Sequence, residues 1–306
     1  MSGPEKTIAK ERKALMQLMD EGDFAIPSRK LNQNLVIASW NIQQFSNRHE
    51  NRAIQYMADI CERFDLIALQ EIKTDLRGLS RLQEKIPGNY KILVSDPTGN
   101  SERLAFLYDK RSVISTGLVA EIVHNVSAKQ DMKSVQFHRT PYCASFRAGR
   151  FDFVIATAHI FFGKGEQKKH RTAEIQRLVD FIAQRAKTTS NKVFDRDLMV
   201  MGDFNIEEAG DQFSKALKSR KFKMPLNMDA LGTNFAQTRT FDKIAWVNRK
   251  SFKHTGRCNV VPFGKVLYQD KTPKGGRKQV SDHLPLWAEF EINKLTQELS
   301  QIINKK

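Results

Sequence analysis

Polar residues of the kinds that handle protons, metal ions and charged oxygens recur in this chain where apolar runs stop. Asn41 follows the run at 35–40, Glu71 follows 66–70, and His159 stands at the end of 153–160. Asp203 and Asn205 come after 198–201 and Gly202, and Asp282-His283 immediately precedes 284–292. Carboxylate and carboxamide oxygens without cysteine suit a hard ion such as Mg²⁺. An Asp paired with a His fixes the tautomer of the imidazole and raises its affinity for a proton, as a general base requires. Taken singly, each residue also has a structural reading. Gly202-Asp203 marks an ordinary turn, Glu71 a solvated or capping carboxylate, and His159 a hydrogen-bonded structural histidine. Their recurrence points to one site, because strand ends are where a sheet scaffold gathers distant residues rigidly.

The elements that must position these residues are strands. The apolar runs read as buried strands, and 91–95, 104–108, 117–123, 142–146, 243–247 and 259–263 read as further ones. Side chains alternate along extended backbone, so Asp203 and Asn205 point to one side as their strand ends. Gly202 permits a turn or a close backbone approach there. Arg147-Ala148-Gly149-Arg150 predicts a hairpin turn into the strand that ends at His159. Helices are expected at 50–64, with Ile54, Met57, Ala58 and Cys61 on one stripe, and at 172–187, with Ile175, Leu178, Val179 and Ile182. A helix at 5–20, cut off by Gly22 and Pro27, reads as an appended arm, and a last helix carries Leu295, Leu299, Ile302 and Ile303. Many strands with interspersed helices and hairpins predict one α/β domain with mixed sheets.

The 306 residues, 40% of them hydrophobic, suffice for a sizeable core. A formal net charge of +16 favours a polyanionic partner, nucleic acid or an anionic membrane surface, over a merely basic soluble protein. Cys61, Cys143 and Cys258 are widely spaced and form no CxxC, which argues against a disulfide framework or a cysteine zinc site and for a reducing compartment. The charged amino terminus lacks a signal peptide's apolar core, and no apolar run approaches the roughly 20 residues of a membrane helix. A soluble, cytoplasmic protein is expected.

Trp40-Asn41-Ile42, Leu69-Gln70-Glu71-Ile72, Thr157-Ala158-His159, Gly202-Asp203-Phe204-Asn205 and Ser281-Asp282-His283-Leu284-Pro285 occur in that order. This ordered set resembles the signature motifs of the endonuclease/exonuclease/phosphatase superfamily, the deoxyribonuclease I-like fold. The resemblance implies a four-layer α-β-β-α sandwich of two mixed sheets over 34–292, between an N-terminal helical extension at 1–33 and a C-terminal helix at 293–306. It implies metal-assisted hydrolysis of a phosphoester with Mg²⁺, for which Mn²⁺ or Ca²⁺ could substitute. Glu71 is similar to the principal metal carboxylate, with Asn41 beside it and Asp282 as a further ligand or a water-mediated contact. Asp203 and Asn205 resemble the pair that positions water and phosphate, His283 the essential histidine, and Asp242 the carboxylate that orients it. His159 is similar to the second histidine of the deoxyribonuclease, sphingomyelinase and inositol phosphatase branches, where abasic-site endonucleases usually carry Tyr. Tyr108 resembles, more loosely, a residue placed near phosphate.

Basic residues cluster beside these motifs. Lys164, Lys168 and Arg171 follow His159, and Lys274, Arg277 and Lys278 precede Asp282-His283. They suit a phosphodiester backbone, so a DNA nuclease of low sequence preference is the leading expectation. A phosphatase or sphingomyelinase-like phosphodiesterase is the alternative, and an inactive nucleic-acid-binding adaptor a third.

Overall fold

The computed structural model describes residues 3–124, 136–187, 197–249, 253–272, 275 and 279–293. The expected helix beyond residue 293 lies outside them, as do Lys274, Arg277 and Lys278. Two mixed six-stranded sheets pack face to face between helices. The first has the order β11-β12-β1-β2-β4-β3, built from β1 (Asn34–Phe45), β2 (Leu66–Lys73), β3 (Tyr90–Val94), β4 (Glu102–Asp109), β11 (Lys253–Val260) and β12 (Leu286–Glu291). The second has the order β5-β6-β7-β8-β10-β9, built from β5 (Ile114–Glu121), β6 (Tyr142–Ala148), β7 (Phe151–His159), β8 (Leu198–Asp203), β9 (Phe222–Lys223) and β10 (Asp242–Val247).

Each sheet has one parallel pair at its heart, β1 with β2 and β7 with β8. Parallel neighbours need a crossover, and helices α2 (Asn51–Cys61) and α4 (Lys168–Lys187) supply it. The expected stripe of α4 is buried at Ile175, Leu178, Val179 and Ile182. Two helices were not anticipated, α3 (Arg77–Lys85) and α5 (Gln212–Lys218), because each is too short to show a sustained period.

Alternation sorts the second sheet cleanly. Phe153, Ile155, Met199, Met201, Ile244 and Trp246 join the core between the sheets, while Val154, Ala156, Leu198, Val200 and Ala245 pack toward the α4 side. His159, Asp203 and Asp242 continue the inward-facing parity. The two-residue turn Gly149–Arg150 closes β6 onto β7 at Ala148↔Phe151, with Gly149 at φ 57. The last strand starts at Leu286 rather than 284, since Pro285 has no N–H for the ladder.

The N-terminal helix α1 (Gly3–Asp20) is not a loose arm. Leu15 and Met19 are fully buried in the main core. Arg12 pairs bidentately with Asp59 of α2, and Glu11 accepts from Arg52, from Tyr56 Oη and from the Tyr268 amide. Charged neighbours on one helix face conceal such an anchor, because their partners lie on distant segments.

Candidate active site

Strand direction explains why distant residues meet. The parallel pairs β1/β2 and β7/β8 bring Asn41, Glu71, His159 and Asp203 to the carboxyl end of their strands. Because β4 and β10 run antiparallel to β2 and β8, Glu102 and Asp242 at their starts fall at the same end. The same geometry brings in His283, just ahead of β12.

Two histidines, each backed by a carboxylate from the opposite sheet, face one aspartate. His283 Nδ1 lies 2.8 Å from Oδ2 of fully buried Asp242, and His159 Nδ1 lies 3.3 Å from Glu102 Oε2. The Nε2 atoms of His159 and His283 stand 3.5 and 3.7 Å from Asp203 Oδ2. Burial alone would lift the Asp203 pKa, but the two imidazoles and hydrogen bonds from the Asn205 amide and Asn41 hold it below the usual carboxylate value. Burial would likewise lower His283, yet Asp242 and Asp203 push it up to about 10.

Several ties fix His283. Its amide donates to Ser281 Oγ at 3.0 Å, Ser281 Oγ donates to the Asn41 carbonyl at 2.6 Å, and Trp40 Nε1 donates to the His283 carbonyl at 3.0 Å. The Ser281 and Trp40 bonds pin the His283 segment to the end of β1. Thr233 Oγ1 accepts from the Asp242 amide at 3.0 Å, which holds the second half of the dyad.

Glu71 reaches the site through a distortion. Gln70 faces inward, bonding Ser39 and Thr157 between the sheets, so strict alternation would turn Glu71 away. The β1/β2 ladder shifts register between Asn41 and Phe45, the β2/β4 ladder shifts between Leu69 and Ile72, and Glu71 adopts φ 61. Its carboxylate then accepts from Asn41 Nδ2 at 2.8 Å and from the Gln44 amide at 3.0 Å. Asn41 Nδ2 also reaches Asp203 Oδ2 in the other sheet, at 3.1 Å. Asn205, at φ 53, donates its amide to Asp203 Oδ1 and its side chain to the Ile160 carbonyl.

Glu71 retains acceptor capacity after these two bonds and is 17% exposed at its side chain, Asn41 Oδ1 accepts from the Gln43 amide at 3.0 Å, and Asp282, just ahead of His283, is half-buried. Carboxylate and carboxamide oxygens of this kind suit a hard divalent ion. Asp203, Asp242 and His283 have ligand atoms within 4.8 Å of one another, and the Asp242 Oδ2 and His283 Nδ1 atoms engage each other at 2.8 Å.

Three expected substrate residues are placed differently from one another. Lys164 is exposed beside the site, and Lys168 is half-exposed and paired with Glu207 at 3.1 Å. Arg171 is fully buried, and its guanidinium donates to the carbonyls of Asn205, Phe162 and Gly163 and to Glu207. It is therefore corrected from a substrate contact to a brace for the loops carrying His159 and Asn205. Tyr108 is also corrected. It pairs with Leu66 at the far end of β4 from Glu102 and packs on Phe146.

Glu102 was missed because an acid opening a strand reads as an ordinary solvated residue. Arg139 Nε at 2.8 Å and His159 hold its pKa down, to about 2, against burial that would raise it.

Two carboxylate-backed imidazoles around a buried aspartate, at one end of a four-layer sandwich, define a phosphoester-hydrolase class of site. Residues 38–255 match the model of the Endonuclease/Exonuclease/phosphatase family, and the chain belongs to that family of phosphoester hydrolases. It is 28% identical over 305 residues to a protein named Deoxyribonuclease from Thioalkalivibrio sp. (strain K90mix), covering 92% of this chain and 79% of that protein. It is 26% identical to Endonuclease/exonuclease/phosphatase family domain-containing protein 1 of Xenopus laevis, covering 85% of this chain and half of that one. TDP2 from C. elegans shares the fold with a TM-score of 0.59 and 15% identity, over 95% of this chain and 94% of that one. The human Nocturnin catalytic domain does so with a TM-score of 0.58 and 16% identity, over 85% and 95%.

Proposed function

We propose that this chain is a Mg²⁺-dependent nuclease that hydrolyses the DNA backbone with little sequence preference. The observation that carries the reading is the convergence of two carboxylate-backed histidines on Asp203 beside the partly exposed Glu71 carboxylate. The relative named Deoxyribonuclease and the net charge of +16 support DNA as the substrate. Three cysteines buried as free thiols support a reducing, cytoplasmic setting.

In this reading Glu71, Asn41 and Asp282 would hold the ion. Bound there, it would polarise the phosphoryl oxygen and offset charge gathering in the transition state. Asp203 and Asn205 orient the water and the scissile phosphate. As the water oxygen bonds to phosphorus, its proton passes to the ionised Asp203 Oδ2, beside the His283 imidazolium, and the bond to the leaving oxygen breaks. His159, held by Glu102, donates to the phosphoryl or leaving oxygen.

The test is to incubate the protein with plasmid, oligonucleotides, RNA, phosphoinositides and sphingomyelin, with Mg²⁺ or EDTA. Metal-dependent cutting of DNA, lost in His283→Ala, is expected. Release of product from lipid with DNA left intact would sink the nuclease reading, and no turnover of any substrate would favour an adaptor.

A further inference from the structure

Phe162 is an exposed aromatic in a place that resists mobility. Among the described residues few large hydrophobics are exposed, and Phe162, at 38%, is the one in the loop that follows His159. Its ring rests on the buried Arg171 guanidinium, 4.5 Å from its centroid, and Arg171 also donates to its carbonyl. The same guanidinium also lies over Phe213, 4.2 Å from its centroid, and is tied to the Asn205 and Gly163 carbonyls, so the support is itself held in place. Phe162 meets Phe241 edge to face at 6.4 Å, and Phe241 lies against the His283 ring at 5.5 Å and 33°. A phenyl ring is thus presented to solvent two ring contacts from the catalytic histidine. The chain around it is basic, with exposed Lys164 and Lys169 against the single acid Glu166 on the same loop and helix start, where Lys168 is paired with Glu207.

An exposed aromatic held rigidly, beside a phosphate-handling site and flanked by cations, matches the chemistry of a polynucleotide. The lysines face its backbone and the ring faces a base or sugar. A lone aliphatic contact would not need a cation–π brace, and a lipid tail would not call for lysines at 164 and 169 in the flanking chain. We infer that Phe162, braced by Arg171, is the stacking residue for the nucleoside next to the scissile phosphate. It makes the enzyme favour strands whose bases can be splayed from their neighbours. This inference rests on the nuclease reading above.

The test compares cleavage, by the full chain with Mg²⁺, of a single-stranded thymidine oligonucleotide and of an abasic tetrahydrofuran oligomer of the same length. The parent should prefer the base-bearing strand in kcat/KM. Phe162→Ala should lower that preference by roughly 5- to 150-fold through KM, and Phe162→Trp should restore it. The Trp variant should also lose fluorescence on binding thymidine strands but not abasic ones. An unchanged preference in Phe162→Ala overturns the stacking role. A fall in kcat on both substrates would reassign the ring to support of Phe241 and His283. Loss of binding to anionic vesicles with the preference intact would reassign it to a lipid. If the parent cuts neither oligomer nor a plasmid, the nuclease reading itself has failed, whereas a parent that cuts the plasmid alone, or both oligomers alike, overturns only the stacking role.

Discussion

Asp203 is the residue on which the others converge, and its environment explains why an acid can stay ionised out of water. Two imidazoles, an amide side chain and a backbone N–H outweigh the cost of burying the charge. Glu71 differs in being partly exposed, with acceptor capacity left beyond its bonds from Asn41 and Gln44, so Glu71→Gln should raise the Mg²⁺ concentration for half-maximal activity by at least about tenfold. Activity measured against Mg²⁺ checks this, and superimposable curves for variant and parent would remove Glu71 from the metal role. Glu102 makes a prediction in pH. Its folded pKa, about 2, is depressed from 4.5, so its contribution is complete above about 4.5 and is lost as pH falls toward about 2. Glu102→Gln should cost on the order of 3 kcal/mol at neutral pH and flatten the acid limb of stability in that window. Denaturant titrations at stepped pH should show it, and parallel limbs would contradict the assignment.

At the level of elements, β7 and β8 approach too closely for any side chain between them at the site end. A Cβ on Gly202, at φ +146, would meet the Ala158 carbonyl oxygen at 2.0 Å. This backbone region is essentially confined to glycine, and both partners are main chain, so neither can yield. Gly202→Ala should therefore destabilise by about 2–4 kcal/mol and reduce activity by moving Asp203 relative to His159, which thermal melts and rate measurements on one preparation can compare. A fully active variant of parental stability would mean that the two strands can separate without harm. Distortion serves the site elsewhere too: Gln43, Gln44, Glu71 and Asn205 all have positive φ, and the ties of Asn41, Glu71 and Asn205 depend on it.

For the whole molecule, the site exists only while the sheets are packed together. The His159–Glu102 and His283–Asp242 pairs each join one sheet to the other, as does the Asn41–Asp203 hydrogen bond. The helix α1 belongs to this assembly. Its Glu11 bonds the Tyr268 amide, in the segment that leads toward Asp282 and His283. Leu15→Ala should cost about 2–5 kcal/mol, as truncation of a fully buried leucine does, and equilibrium unfolding will read it directly. A change below ~0.5 kcal/mol would show that α1 is dispensable to the core.

Residue type and order alone were enough for the family and the mixed-sheet class, and they singled out most of the polar residues that the strand ends bring together. Each of Asn41, Glu71, His159, Asp203 and His283 lies at or next to an end of an apolar run, and that local pattern survives without knowing how the chain folds. Which way a side chain faces was a different matter. Arg171 and Lys168 lie three residues apart on one helix, yet one is fully buried as a brace and the other reaches the surface. Their types are equally basic, and only packing against Phe162 and Phe213 separates them. Tyr108 fell at the wrong end because strand direction is set by pairing, not by composition. Glu102 became legible for the same reason, since antiparallel pairing returns the start of β4 to the end of β2. A sequence names the chemistry through local residue types. The tertiary structure decides which of those groups meet, because pairing direction, register shifts and burial arise only between segments far apart in the chain.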